Sequence, residues 1–342
     1  MSRRDIIVIG ASSGGIEALR TLVGDLSPDF TASILIVQHT SPQSPGVLAS
    51  ILDRAGALPA SNASDKEPIQ PGHIYVAPPD YHLIIEPGIM RISRGPKENR
   101  FRPAIDPLFR SAAQIYGPRA IGVILTGNLD DGTAGLYTIK QLGGTAIVQD
   151  PKEAPSPSMP LSALSHVKVD FCVTLREIAP LLAQLTFTSA EEKGVSAVPK
   201  ELGIEVKIAK AANAIEAGVQ SLGTPSSFTC PECHGSLLQI KEGARFRFRC
   251  HTGHAYSFDS LLAELSERIE ESLWITIRSI EESALMLHHL SEHLIERNQA
   301  DAAQLMQEKS RAAHERANQV RQIALNHEKL SEEKFGLDGQ EV

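Results

Sequence analysis

Asp5-Ile6-Ile7-Val8-Ile9-Gly10-Ala11-Ser12-Ser13-Gly14-Gly15 is an unbroken apolar run that passes into small residues, and a helical pattern with Ile16, Leu19, Leu22 and Val23 follows it. A strand buried on both faces reads as such a run, and small residues after it let the backbone turn tightly with its amides pointing outward. Short Ile- and Val-rich runs recur at 33–37, 74–76, 121–125, 146–148 and 171–173, with helical patterns between them. This alternation predicts an α/β domain over residues 1–187, built on a doubly wound, mostly parallel sheet with helices on both faces. A helix N-terminus after a first strand is also where a dinucleotide's pyrophosphate docks. The residues argue against that use here. Gly10-Ala11-Ser12 puts a hydroxyl where the dinucleotide fingerprint needs bare backbone, and the second strand ends in Val37-Gln38-His39 rather than in an acid.

Open α/β sheets gather their sites at the carboxyl ends of strands. Three such ends carry Ser12, His39 and, after the run at 121–125, Thr126-Gly127-Asn128-Leu129-Asp130-Asp131-Gly132. Taken singly, each has an ordinary explanation: a serine in a glycine turn caps helices, a strand-end histidine is a structural hydrogen-bonder, and Asp-Gly is a common turn. Together they supply a nucleophile, a base able to take its proton near neutrality, and an acid to orient the base.

In that order the three motifs resemble the catalytic domain of the chemotaxis protein-glutamate methylesterase family, whose members carry Gly-Ala-Ser-[Thr/Ser]-Gly-Gly, Gln-His and Thr-Gly-x-x-x-Asp-Gly. The resemblance extends over roughly residues 4 to 185. It includes Gly72-His73-Ile74-Tyr75-Val76-Ala77-Pro78, Arg102-Pro103 with Asp106 and Leu108-Phe109, and Gln149-Asp150-Pro151 with Met159-Pro160. It implies Ser12 as nucleophile, His39 as base and Asp131, the acid that directly precedes Gly132, as orienting group, with Asp130 the competitor. It also implies hydrolysis of glutamate methyl esters, and deamidation of glutamines, on chemoreceptor-like proteins through a glutamyl-serine intermediate, with no cofactor for catalysis. Amides following Ser12 and one from the 126–129 loop are expected to hold the oxyanion. Two departures stand out. Family members usually begin with a receiver domain whereas this sequence starts on the catalytic motif, so an activating signalling protein acting in trans is expected. Many members also have Met-Gly where this chain has Asn128-Leu129.

Beyond the first domain, residues 188–227 thin in apolar density and are expected to be a linker with one marginal helix. Four cysteines occur, at 172, 230, 233 and 250. Cys172 is expected to be buried and inert. Cys230-Pro231-Glu232-Cys233, then a gap of sixteen residues, then Cys250-His251-Thr252-Gly253-His254 offers two ligand pairs suited to tetrahedral structural zinc. Cys230, Cys233, Cys250 and His254 are the expected ligands, with His254 preferred to His251 and His234, in a ribbon over residues 228–258. Residues 259–332 read as a helical hairpin or coiled coil, a candidate homodimer handle. Leu273, Ile277, Ile280, Ala284, Leu287 and Leu294 form its stripe, Ser291 interrupts it, and 333–342 follow as a flexible tail.

The balance of 33 basic against 41 acidic residues, net −8, gives no long-range attraction to phosphate backbones, so the three arginines at 245, 247 and 249 are not expected to bind nucleic acid. No run of about 18 apolar residues and no signal-peptide pattern occurs, so a cytoplasmic protein with no membrane insertion is expected. The rival reading is a chemosensory signalling adaptor that keeps the esterase fold and works through its ribbon and helices.

Overall fold

The computed structural model describes residues 3–190, 197–243 and 245–327. Residues up to Leu261 form one compact unit, and a second begins at Leu262.

The first unit is organised on a seven-stranded sheet. Its strands are β1 (Ile6–Ala11), β2 (Ser33–Gln38), β3 (Ala60–Asn62), β4 (Ile74–Val76), β7 (Ala120–Ile124), β8 (Thr145–Gln149) and β9 (Phe171–Val173), and a hairpin of β5 (His82–Glu86) and β6 (Ile89–Ser93) lies apart. The order in the sheet is β3-β4-β2-β1-β7-β8-β9, with every neighbouring pair parallel. Six strands fall where the apolar runs predict them. Edge strand β3 carries only Ala60-Ser61-Asn62 and has no apolar run to announce it. Nor do those runs include the hairpin, whose short apolar runs Leu83-Ile84-Ile85 and Ile89-Met90 are separated by Glu86-Pro87-Gly88, with Gly88 left-handed at φ 75°.

The apolar run of β1 is unbroken because both faces of the sheet are covered. Ile6 and Val8 point into one core with Leu35, Val37, Leu108, Phe109 and Leu136. Ile7 and Ile9 point into the other with Leu19, Leu22, Ile34, Ile36 and Leu182. Helices α1 (Gly15–Gly24), α2 (Leu48–Asp53) and α6 (Leu175–Thr186) cover the second face, and α3 (Ile105–Tyr116), α4 (Thr133–Gln141) and α5 (Ser158–His166) the first.

Three expectations are corrected. The stretch expected as a linker is packed: α7 (Lys200–Ala209) buries Leu202, Val206 and Ala209 in the first core. α8 (Ala214–Ala217) follows, and Ala214 joins Ile208, Val219, Leu222 and Ile240 in a small cluster of its own. The low apolar density of the whole stretch obscures this, because the buried apolar residues are concentrated in the ten residues of α7 and the few that follow it. Cys172 is exposed, not buried. On edge strand β9 the two-residue alternation sends Phe171 and Val173 toward the second core and leaves Cys172 on the other side. Ser291 does not interrupt the tail's stripe, as explained below.

A four-stranded antiparallel sheet completes the unit: β10 (Thr224–Thr229), β11 (Ser236–Glu242), β12 (Arg245–Cys250) and β13 (Ala255–Ser257) in sequential order.

The second unit consists of the greater part of α9 (Phe258–Glu296) with α10 (Ala300–Leu325), which run antiparallel as a hairpin. Ser310 Oγ donates to Ala284 O at 2.8 Å, and Arg321 pairs with Glu281. Ile277, Ala284 and Ser291 on one helix and Ala303, Ser310, Ala317 and Ala324 on the other are buried at seven-residue intervals. Small residues at these positions let the backbones approach closely. Ser291 is a seam residue, and its hydroxyl is satisfied by His288 O at 2.6 Å. The tail expected at 333–342 lies outside the described residues, and among the described residues no helix is long and apolar enough to cross a membrane.

Candidate active site and metal centre

β1 lies between β2 and β7, so the sheet order reverses beside it, and the crevice at such a switch point is where α/β sheets place their sites. Ser12 follows β1. Its amide donates to Thr126 O at 3.0 Å, and its carbonyl accepts from Gly15 N at 2.9 Å and Gln38 Nε2 at 2.8 Å. Gly14 caps α1 with φ 76°, a left-handed conformation that a side chain resists, and a Cβ on Gly15 would collide with Gln38 Oε1. The two glycines of the motif therefore have separate duties: one turns the chain, the other admits the glutamine that ties down the turn.

His39 follows β2, where its amide donates to Ala11 O at 3.0 Å. Its Nδ1 lies 3.2 Å from Ser12 Oγ and its Nε2 lies 2.8 Å from Asp131 Oδ2. The carboxylate can only accept, so Nε2 carries the proton and the Nδ1 lone pair faces the serine hydroxyl. Both side chains of the His39–Asp131 pair are 2 % exposed. Phe101 lies flat on the imidazole, with ring centroids 3.7 Å apart and planes 7° from parallel.

Asp131 precedes α4 and is held by several donors. Oδ2 accepts from Ile105 N at 2.7 Å as well as from His39. Oδ1 accepts from Asn99 Nδ2 at 2.8 Å and Gly132 N at 3.0 Å. Burial alone would raise its pKa, but the hydrogen bond and charge of His39, with the Ile105 amide and Asn99, hold the carboxyl below its usual range. The neighbouring Asp106 accepts from Gly135 N at 2.7 Å and Asn99 Nδ2 at 3.0 Å. Burial, then the charge of Asp131, pushes it up to about 7. Asp130, the competing acid, faces away from the histidine and bonds Arg245 and Ser257 Oγ.

The structure thus brings Ser12, His39 and Asp131 together. A groove of ≈ 490 Å³ over Ser12 and His39 is rimmed by Lys97, Arg100 and Arg102. Of the amides in the 126–129 loop, Thr126 N donates to Gln149 Oε1 at 2.9 Å and Gly127 N to Ser156 O at 2.8 Å, and Gly15 N is taken by Ser12 O. The amides of Ser13 and Gly14 follow Ser12 directly at the start of α1. Sequence reasoning gave no role to Asn99, Phe101 or Asp106. Asp106 had a signal in the Arg102-Pro103 motif, whereas Asn99 and Phe101 had none, since their partners lie far away in sequence.

Leu129, where many family members have glycine, has φ 59°. The chain is therefore left-handed here on a residue whose side chain disfavours that conformation.

Cys230 and Cys233 sit on the turn between β10 and β11, Cys250 ends β12, and His254 lies on the turn between β12 and β13. Their donor atoms all lie within 4.8 Å of one another. Cys233 Sγ to Cys250 Sγ is 3.6 Å and Cys250 Sγ to His254 Nδ1 is 3.5 Å. Tetrahedral zinc with Zn–S of about 2.3 Å sets its sulfurs about 3.7 Å apart, so the four residues fit that ion. Gly253, at φ 105°, makes the second turn, and Thr252 Oγ1 lies 2.9 Å from Cys250 Sγ. The three arginines of β12 are engaged in ion pairs, Arg245 with Asp130, the buried Arg247 with Glu205 and Glu242, and the buried Arg249 with Glu98 and Glu205.

Residues 7–182 match the family model described as CheB methylesterase. A putative protein-glutamate methylesterase/protein-glutamine glutaminase of Leptospira interrogans is 42% identical over 190 residues, covering 55% of this chain and 98% of that one. Protein-glutamate methylesterase/protein-glutamine glutaminase 1 of Rhodospirillum rubrum is 39% identical over 183 residues, covering 52% of this chain and 47% of that one. The crystal structure of the Thermotoga maritima CheB methylesterase catalytic domain superposes with a TM-score of 0.52 at 35% identity, over 54% of this chain and 99% of that one. Motif order, sheet topology and these matches lead to one conclusion: the chain belongs to the CheB methylesterase family.

Proposed function

We propose that residues 1–187 hydrolyse methyl esters of glutamate side chains on chemoreceptor-like proteins, with Ser12 as nucleophile, His39 as general base and Asp131 as its orienting acid. The observation that carries this reading is the chain of contacts from Ser12 Oγ through His39 Nδ1 and Nε2 to Asp131 Oδ2, at 3.2 and 2.8 Å. As Ser12 attacks the ester carbonyl, its proton passes to Nδ1, and the buried Asp131 stabilises the imidazolium without taking the proton. The ring nitrogens exchange the roles they have in the chymotrypsin template, because His39 meets the serine through Nδ1. The oxyanion forms beside the Ser13 and Gly14 amides, where the α1 dipole favours negative charge, and each such donor is worth roughly 3 kcal/mol in the barrier. His39 then protonates the departing methanol and activates the water that releases the glutamate. A glutamine side chain would follow the same course with ammonia leaving. The basic rim of the groove suits a substrate helix rich in glutamates.

Cys230, Cys233, Cys250 and His254 would hold a structural zinc. A ribbon of this size has little core, and the ion would fasten its two turns.

The test is methanol release from methylated receptor membranes by the full chain beside Ser12→Ala and His39→Ala. Loss of at least about a hundredfold in both variants is expected. A wild-type chain that is inactive on ester and glutaminyl sites, even with candidate signalling partners added, would move the assignment to the adaptor reading.

A further inference from the structure

We infer that the Cys/His ribbon is a working part of the ester site, and that Asn99 is the positioning residue through which it acts on Asp131. The inference rests on the triad proposed above. Asn99 and Arg100 are consecutive non-glycine residues in the left-handed region, with φ 48° and 76°. Such a conformation persists only where its surroundings impose it, and here the ribbon does so. Asn99 N donates to Ala255 O at 2.8 Å, and Ala255 N returns to Lys97 O at 3.2 Å, so β13 grips this loop as it would another strand. Beside it, the buried carboxylate of Glu98 is clasped by Arg110 of α3 and by Arg249 of β12.

The Asn99 amide is divided between the two sides. Its Oδ1 accepts from Ser257 N at 2.9 Å and Ser260 Oγ at 3.2 Å, both beyond the second ribbon turn. Its Nδ2 donates to Asp131 Oδ1 at 2.8 Å and Asp106 Oδ2 at 3.0 Å. Two residues on, Phe101 stacks on His39. The same short loop therefore supports both His39 and its acid, and its shape depends on β13. A carboxylate with two acceptor oxygens and no donors takes its orientation from the donors around it, and among the described residues Asn99 is the one side chain besides His39 that donates to Asp131.

Three variants of the full chain test this. Asn99→Gly keeps the left-handed backbone and deletes the bridge. Asn99→Asp keeps the acceptor facing Ser257 and Ser260 but removes the donor facing Asp131. Ser260→Ala weakens the ribbon side alone. Two readouts apply, each per folded molecule: the rate at which a fluorophosphonate labels Ser12, and the low-field proton resonance of the His39–Asp131 hydrogen bond. Labelling in both Asn99 variants is expected to slow at least about tenfold, toward the hundredfold that a misplaced group can cost, with the resonance shifted or lost. Ser260→Ala should move both readouts in the same direction by less. A residue that only stabilised the fold would lower the folded fraction and leave both readouts unchanged, and that result in Asn99→Gly and Asn99→Asp would overturn the inference. Asn99→Asp, close in shape to the native side chain, serves as the reading should Asn99→Gly fail to fold. If the wild type takes no label, the triad fails and this inference with it. If it is labelled yet releases no methanol, only the proposed substrate fails.

Discussion

Replacing Asp131 by asparagine preserves the shape of the side chain and changes only what its outer atoms can do. Every described neighbour that bonds this carboxylate is a donor: His39 Nε2 and Ile105 N on Oδ2, Asn99 Nδ2, Gly132 N and, at 3.4 Å, Asp106 N on Oδ1. An asparagine must turn its NH2 toward one side. Facing Asn99, Gly132 and Asp106, it would oppose three donors. Facing His39, it opposes the Ile105 amide, but the imidazole can adapt by moving its proton from Nε2 to Nδ1. That second choice places the proton on the nitrogen 3.2 Å from Ser12 Oγ, so the base can no longer accept. The equivalent swap in the serine-protease template lowers kcat about 10⁴-fold, which is about 5 kcal/mol in the barrier. The orphaned Ile105 amide should cost a further ~1–3 kcal/mol of stability. Methanol release per folded molecule, with folding checked by thermal melting, reads the first effect; the shift in melting temperature reads the second. Activity within about tenfold of wild type would refute the tautomer argument. So would the same large activity loss in Asp130→Asn, since Asp130 bonds Arg245 and Ser257 rather than His39.

Leu129→Gly should raise stability by ~1 kcal/mol, read by denaturant unfolding, because it relieves a left-handed residue at φ 59°; an unchanged or lower stability would show that the leucine side chain compensates. Glu205→Gln should cost about 3–5 kcal/mol at neutral pH, since it unbalances the buried guanidiniums of Arg110, Arg247 and Arg249. Burial alone would raise the Glu205 pKa, but those arginines outweigh it and hold the carboxyl well below its usual range. A depressed carboxylate contributes stability that is present above its unfolded pKa of about 4.3 and lost as pH falls below it, so the penalty for the substitution should shrink on acidification. A penalty constant from neutral pH to about pH 3.5 would contradict this. The full chain should carry about one zinc, and cobalt in its place should show the absorption of a tetrahedral thiolate site; Cys250→Ser should abolish it and lower the melting temperature.

Much of the catalytic half was legible in the sequence because its signals are local. A strand covered on both faces must be apolar at every position, which is why the run at β1 and its repeats disclosed a parallel sheet. Serine among glycines, a histidine ending a strand and Asp131 before Gly132 each occupy a turn whose backbone geometry restricts the residues allowed. The clustering of Cys230, Cys233, Cys250 and His254 could be picked out because two turns each present a pair at short spacing.

Tertiary structure alone decided what depends on partners distant in the chain. No local pattern says that Asp130 turns toward Arg245, or that Glu205, on a helix expected to be marginal, is buried against three arginines. Cys172 is exposed because no described residue covers that side of an edge strand, and strand order is not written in the strand itself. Asn99 is the plainest case. Its amide gains meaning only once residues 131 and 257 are folded against it, because a hydrogen bond depends on position in space, whereas sequence patterns record only what neighbours along the chain require.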